Sequence, residues 1–230
     1  MKKLSFFALA LLFSLKMVAQ DCDAYYAMKK GAVLAYSFRD GKGQETTVSE
    51  TTILDLSSVG NGVNARIGYK MLSNGKGDTI SGESTVRCQD DVLTMDFGNF
   101  LPPKTQASFE SMEIEVSGDG IAIPNRLSTG QKLPDAHNEV KMLMNGTPII
   151  TMSFDMVERE VLAKETVTTP AGSYECMKIS YRLNSGGAMI NGTSTTIQWY
   201  AKGVGMVKSE SYNKKGALES TVLLTRVSGL

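Results

Sequence analysis

Apolar and polar side chains alternate with a period of two along most of the chain, which is the pattern of half-buried β-strands. One clear stretch has these apolar residues on a single side: Val63, Ala65, Ile67, Tyr69 and Met71. Similar stretches recur at short intervals, and turn signals such as Asn145-Gly146 separate them. The pattern predicts an all-β protein with a single curved antiparallel sheet, a β-roll or barrel-like domain, of about a dozen short strands.

Two stretches interrupt the alternation. Pro102 and Pro103 precede residues 104–110, and proline is common in the first turn of a helix. We therefore predict one short helix near 103–111. The polar stretch 124–137 is the longest connection between strands, and we interpret it as a possible seam between two halves of one domain.

The N-terminus has a different pattern. Lys2 and Lys3 precede an apolar run from Leu4 to Leu15, and the small residue Ala19 follows. This is the arrangement of a secretory signal peptide, and the run is too short for a comfortable membrane span. We expect residues 1–20 to be a signal peptide that is cleaved near residues 19–20. Residues 21–230 then form a single β-rich domain that is exported to the periplasm or the cell exterior.

The net charge of the chain limits the kinds of molecule that it is expected to bind. The sequence has 24 basic and 24 acidic residues, and the predicted signal peptide contains three of the lysines. The remaining chain has 21 basic and 24 acidic residues, a formal charge of −3. A mildly acidic chain lacks the positive footprint of a nucleic-acid-binding protein. We expect no nucleic-acid partner, no transmembrane segment and a monomer.

The chain has three cysteines: Cys22, Cys88 and Cys176. An exported protein folds where disulfides form, so we expect one disulfide and one buried thiol, with the pairing left open. Asp21 directly before Cys22 argues against a lipid anchor at that cysteine. The wide spacing and the single histidine argue against a zinc site.

Catalytic chemistry is not apparent in the sequence. The only histidine, His137, lies in a polar stretch, and we interpret it as an exposed loop residue. A serine or cysteine nucleophile would need a nearby base, and the Gly-x-Ser-x-Gly elbow is absent. Paired acids such as Asp90-Asp91 are typical of solvated turns. We predict no catalytic residue, no cofactor and no metal, and hence a protein that is not an enzyme.

Methionine is unusually frequent, with 13 in the chain. Five residues of one predicted hairpin form the candidate ligand site: Met142, Met144, Met152, Phe154 and Met156. Their alternate placement is what an ordinary sheet core shows. Flexible methionines also suit an adaptable apolar cavity for a lipid-like ligand. Thioether binding of Cu(I) is the third interpretation, and it lacks histidine or cysteine neighbours to support it.

Three segments resemble TapB-like exported bacterial proteins, a β-rich family without established activity. Residues 167–181, VTTPAGSYECMKISY, resemble their TPAGxFxCxKIxY hairpin, and residues 199–208, WYAKGVGMVK, resemble their WYAKGVGxVK signature. Residues 22–31 resemble a CxxYYPMKxG motif, with Ala27 in place of the proline. The resemblance covers residues 22–230. It implies a signal peptide and a curved antiparallel β-roll or barrel-like fold, and it supplies no catalytic residues.

Together these features predict an exported, non-enzymatic β protein that binds an apolar or lipid-like ligand or an envelope protein. The alternative is a structural or assembly module that acts through its surface or a sheet edge. Trp199, the only tryptophan, shares a face with Thr195 and Ile197, and we predict that it anchors the core.

Overall fold

The computed structural model of the protein describes residues 25–73, 79–96, 113–187 and 191–230. Three features lie outside the described residues: the predicted signal peptide (1–20), the predicted helix near 103–111 and Cys22. The signal peptide, the helix and the part of Cys22 in a disulfide therefore stay predictions. Among the described residues there is no helix of the length and apolarity needed to cross a membrane.

The described strands form a single antiparallel sheet of thirteen members, which confirms the predicted fold class. They are β1 (Val33–Asp40), β2 (Glu45–Val59), β3 (Gly62–Ser73), β4 (Thr79–Gln89), β5 (Val92–Met95), β6 (Glu113–Gly118), β7 (Ile121–Pro124), β8 (Ala136–Met144), β9 (Thr147–Thr169), β10 (Gly172–Gly187), β11 (Gly192–Ala201), β12 (Gly205–Asn213) and β13 (Leu218–Ser228). Several are longer than the short strands predicted, with 23 residues in β9 and 16 in β10.

Strand order follows the chain almost throughout. The sheet runs β6-β8-β9-β10-β11-β12-β13-β1-β2-β3-β4-β5-β7, so β1 and β13 join two sequential series. Short turns explain much of this order, because they return a strand beside the one before it. Asn145 and Gly146 between β8 and β9 both have positive φ, 52° and 74°, as a type I′ turn requires. The sheet is not closed, since β6 and β7 stand at its two ends.

The long strand β9 is bent by bulges. Its register with β10 shifts at Lys178/Ile179 and again at Ser180/Arg182. At the second shift, Glu158 has a positive φ of 56°, which is uncommon for a residue other than glycine. Bulges bend a strand and redirect its side chains. Here they place the buried side chain of Arg159 towards the opposite end of the sheet.

The two ends of the sheet approach each other at a junction between β7 and the β8/β9 pair. Arg159 donates from Nη2 to the Ala122 carbonyl at 2.8 Å and from Nη1 to the Pro134 carbonyl at 2.7 Å. The Gly120 amide donates to Asn138 Oδ1 at 2.9 Å. Because β7 is the last strand of the sheet and β9 is the third, these contacts require the sheet to curve round. The stretch 124–137 runs along this junction.

The curvature gives the sheet an inner face that carries most of the core. Cross-strand neighbours on this face are buried in rows, for example Ala65, Val86, Met95 and Ile121 on β3, β4, β5 and β7. Trp199 is also buried, but the register places it on the opposite, outer face, where its neighbours are Lys178 and Lys208. The tryptophan is thus buried, but the prediction that it faces the main core is wrong, because it lies on the opposite side of the sheet.

Two of the cysteines lie in the described residues. Cys88 is disulfide-bonded, and its sulfur accepts from Asn125 Nδ2 at 3.7 Å. Cys176 is a free, buried thiol whose pKa is raised to about 11, mainly by burial. Its thiolate is therefore scarce at neutral pH.

Thiol alkylation should distinguish the cysteines. We expect iodoacetamide to leave the native protein unmodified, because Cys176 is buried and protonated. In denaturant without reductant one cysteine should react, because a disulfide holds the other two of the three. Reduction should raise the count to three, read by intact mass. Three modified cysteines without reductant would contradict the disulfide.

Candidate functional site

The predicted methionine site is mostly enclosed in the core. Met142, Met152 and Met156 are at most 1% exposed and Phe154 is 4% exposed. The register of β8 and β9 places them on the inner face, with Phe154 opposite Asn138 and Met156 opposite Ala136. Met144, next to the turn, is 53% exposed and does not join them.

These four enclosed side chains pack against protein on all sides. A residue without accessible surface can contact a ligand only when its neighbours move. The structure thus places them as core packing, which is how methionine commonly fills irregular interiors. A ligand cavity lined by this hairpin stays a prediction.

A second part of the inner face is polar. We call it the polar band: Thr47, Ser49, Thr196, Gln198 and Ser209, all of them buried. Two apolar residues connect its two parts, because Gln198 pairs with Ser209, Ser209 with Val222, Val222 with Phe38 and Phe38 with Thr47. The polar side chains thus lie on β11, β12 and β2, on either side of Val222 and Phe38, where an apolar core is the usual expectation.

Part of the hydrogen-bonding capacity of the polar band is used internally. Thr196 Oγ1 and Ser211 Oγ are 3.2 Å apart, and Tyr200 Oη donates to Gln198 Oε1 at 2.9 Å. The other side of the amide, Gln198 Nε2, has no partner among the described residues. The same holds, within the part of the chain that the structure describes, for the hydroxyls of Thr47, Ser49, Ser209 and Tyr36.

These unused groups reach accessible space. Among the described residues, the fully enclosed side-chain nitrogen and oxygen atoms without a partner are Asn138 Nδ2 and Arg159 Nε. The unused atoms of the polar band and of Tyr36 are therefore not fully enclosed. Buried polar groups normally have a partner, in protein or water. On the inner face, several unpaired hydrogen-bonding groups thus keep some accessible surface.

Tyrosines border the polar band. Tyr36 pairs with Ser49, and Tyr181 pairs with Thr196. Burial raises the pKa of Tyr36 and Tyr200 strongly and the pKa of Tyr181 to about 12. The three phenols are therefore neutral, and their surroundings disfavour negative charge.

Arg159 connects β9 with β7 and with Pro134 at the junction. Its guanidinium is buried, and burial lowers its pKa. Two of its nitrogens donate to the carbonyls of Ala122 and Pro134. A buried cation of this kind is costly unless its donors are satisfied, so these carbonyls stabilise the charge. The geometry indicates a structural role at the approach of β9 to β7.

The outer face carries a charged cluster around Trp199. The indole Nε1 donates to Glu165 Oε1 at 2.6 Å, and this hydrogen bond lowers the pKa of Glu165. The ammonium groups of Lys178 and Lys208 lie 5.2 Å and 4.8 Å from the ring centroid. These are cation–π distances. The cluster covers the indole and pairs its charges internally.

His137 lies on β8 rather than in a loop, and it is exposed on the outer face. Its Nδ1 is 3.0 Å from Asp155 Oδ1, and its backbone amide donates to Asp119 Oδ2 at 2.9 Å. The pKa of His137 is raised, first by the hydrogen bond with Asp155. Acids do therefore gather around the histidine, but in solvent and away from the polar band. The non-enzymatic expectation stays a prediction.

The polar band was not found by reading the sequence. The Thr-rich run of β2 is a signal in the sequence, but by itself it indicates only β-propensity. Period-two alternation shows that two faces differ without showing which face is enclosed. That information comes from the partner strands.

Comparisons with known proteins place the fold. A model of the DUF3108-like family matches residues 29–224. No curated protein sequence matches the chain.

Two solved structures share the architecture. A protein from Bacteroides fragilis with a YmcC-like fold, described as exported, is 23% identical and has a TM-score of 0.78, and the alignment covers 90% of this chain and 100% of that chain. A protein from Parabacteroides distasonis, described as a lipoprotein, is 21% identical with a TM-score of 0.78, over 91% of this chain and 100% of that chain. At these identities the likeness shows the fold.

Proposed function

The chain belongs to the DUF3108-like family, and on that premise we propose that it is an exported binding protein for a lipid-like molecule. The molecule lies on the inner face of the sheet, with its polar group at the polar band. The protein holds the molecule without chemical change. Partly accessible apolar neighbours such as Phe38 and Val222 contact the alkyl part.

The observation that carries this proposal is the unused hydrogen-bonding capacity of the polar band. Gln198 Nε2 and the hydroxyls of Ser209, Thr47 and Ser49 lie on the inner face of a curved sheet without a partner among the described residues. Binding sites for small molecules are typically apolar concavities with a few placed polar groups. Apolar neighbours together with a few unpaired polar groups match that description.

Export is supported by the basic and apolar pattern of residues 1–20. The related structures from Bacteroides fragilis and Parabacteroides distasonis are described as an exported protein and a lipoprotein. The finer assignment to the TapB-like group rests on the motifs at residues 167–181 and 199–208. We include it in the proposal.

Native mass spectrometry tests the binding function. Protein purified without detergent is expected to carry a molecule that is lost on denaturation and can be identified after solvent extraction. A photoreactive dodecyl diazirine should then compete with it and label peptides of β1, β2, β11 and β12. A protein that is always empty and takes up no probe would contradict the proposal.

A matched pair of variants locates the site. Ser49→Phe adds bulk to the inner face, and Thr52→Phe adds the same bulk three residues along on the outer face of the same strand. We expect Ser49→Phe to lose probe labelling and Thr52→Phe to retain it. Circular dichroism of both variants establishes that they are folded. Equal labelling of two folded variants would place the ligand elsewhere.

A second candidate function is assembly through the sheet edge. β6 pairs only with β8 in the described sheet, and its Ile114 and Val116 are each 37% exposed. Free edges can add a strand from a partner. Diazirine labelling concentrated on β6, together with an empty inner face, would favour this function over ligand binding.

A further inference from the structure

The polar band also defines the kind of polar group that the ligand carries. We propose that this group is uncharged, an alcohol, ester or amide, rather than a carboxylate or an ammonium. This inference rests on the proposed binding function. It specifies the class of lipid-like molecule, namely a neutral one.

The unused groups themselves are neutral. Gln198 Nε2 is a donor, because the oxygen of that amide already accepts from Tyr200. The hydroxyls of Thr47, Ser49 and Tyr36 can each donate or accept. An alcohol, ester or amide oxygen fits such a mixed set. An anion would use only the donors, and an ammonium would use only the acceptors.

Positive charge near the polar band is weak compared with the effect of burial. The charge of the buried Arg159 lowers the pKa values of Tyr181 and Tyr200, but burial raises them by more. Both Nη atoms of Arg159 donate to backbone carbonyls, and its Nε is fully enclosed. Burial raises the pKa values of Tyr36 and Tyr200, which reports that a negative charge is disfavoured at this position. A carboxylate would meet the same penalty.

Two carboxylates close to the polar band in the sheet are turned away from it. Glu165 on β9 and Glu210 on β12 lie on the outer face. Glu165 is bonded to Trp199 and is 3.4 Å from Lys178, and Glu210 is 2.7 Å from Lys208. Their charges are therefore already paired. An ammonium group that moved onto the inner face would lose its hydration and gain no ionic partner, which is unfavourable.

Three probes with the same alkyl chain test the inference: dodecan-1-ol, dodecanoate and dodecylammonium, each below its micelle concentration. Calorimetry or competition with the diazirine should show the alcohol binding about tenfold or more tightly than either ion, since an unpaired charge must be desolvated. Equal or tighter binding of an ion would overturn this inference and leave the proposed function standing. Failure of all three probes to bind would overturn both.

Variants separate the polar contact from the alkyl contact. Thr47→Val and Tyr36→Phe should each weaken dodecan-1-ol binding about three- to tenfold, the value of one hydrogen bond, and leave dodecane uptake unchanged. Thr52→Val, on the outer face of the same strand, is the matched control and should leave both unchanged. Equal losses for dodecane and dodecan-1-ol, or no loss for either, would overturn the role of the polar band.

Discussion

Trp199→Ala is expected to lower the free energy of unfolding by about 3–5 kcal/mol, as large-to-small changes of buried aromatic residues do. The indole is 4% exposed and lies between Lys178 on β10 and Lys208 on β12. Removing it leaves a hole on the outer face, withdraws the hydrogen bond to Glu165 and separates two lysines from the ring that they share. Urea unfolding followed by circular dichroism measures the loss, because the variant has no tryptophan signal.

Trp199→Phe is the control for this experiment. It keeps an aromatic ring beneath both lysines and removes only the Nε1 donor and part of the side-chain volume. The loss in the free energy of unfolding should therefore be clearly smaller than for Trp199→Ala. Because Trp199 faces away from the polar band, ligand binding by the folded protein should survive both changes. A fully stable Trp199→Ala protein that had lost only binding would show that the tryptophan belongs to a functional site.

The sheet could be predicted from the sequence because alternation and turn chemistry are local. Asn145-Gly146 supplies the positive φ angles of its turn, and the flanking strands pair as expected. The continuity of β9 was not predictable in the same way. The charged residues Glu158, Arg159 and Glu160 interrupt the alternation, a pattern that favours two separate strands. The structure keeps them in one strand through bulges.

The polar band could not be predicted from the sequence of any single strand, because the neighbouring strands decide which face of a strand is turned inward. In β2, Thr47 and Thr52 have the same side chain, yet Thr47 faces inward and Thr52 faces outward. Register with β1 and β3 decides between them. The methionines, in contrast, are conspicuous in the sequence through their number and their alternate placement on one hairpin. Four of the five residues of that candidate site turned out to be enclosed, and the accessible polar groups lie on other strands.

Met142→Ala and Met152→Ala are each expected to lower the free energy of unfolding by about 2–5 kcal/mol, because both side chains are enclosed and leave cavities. Met144→Ala, on the same strand as Met142 but 53% exposed, is the matched control and should change stability by less than about 0.5 kcal/mol. Urea unfolding of the three variants measures the difference.

The same three variants decide what the methionine hairpin does. If Met142 and Met152 are core, Met142→Ala and Met152→Ala lose stability while the remaining folded protein binds dodecan-1-ol normally. If they line a ligand cavity that opens in solution, truncation should cost little stability in the empty protein and should change the length of alkyl chain that binds best. We expect the first result, since side chains packed on all sides lose dispersion contacts on truncation whether or not a ligand is present.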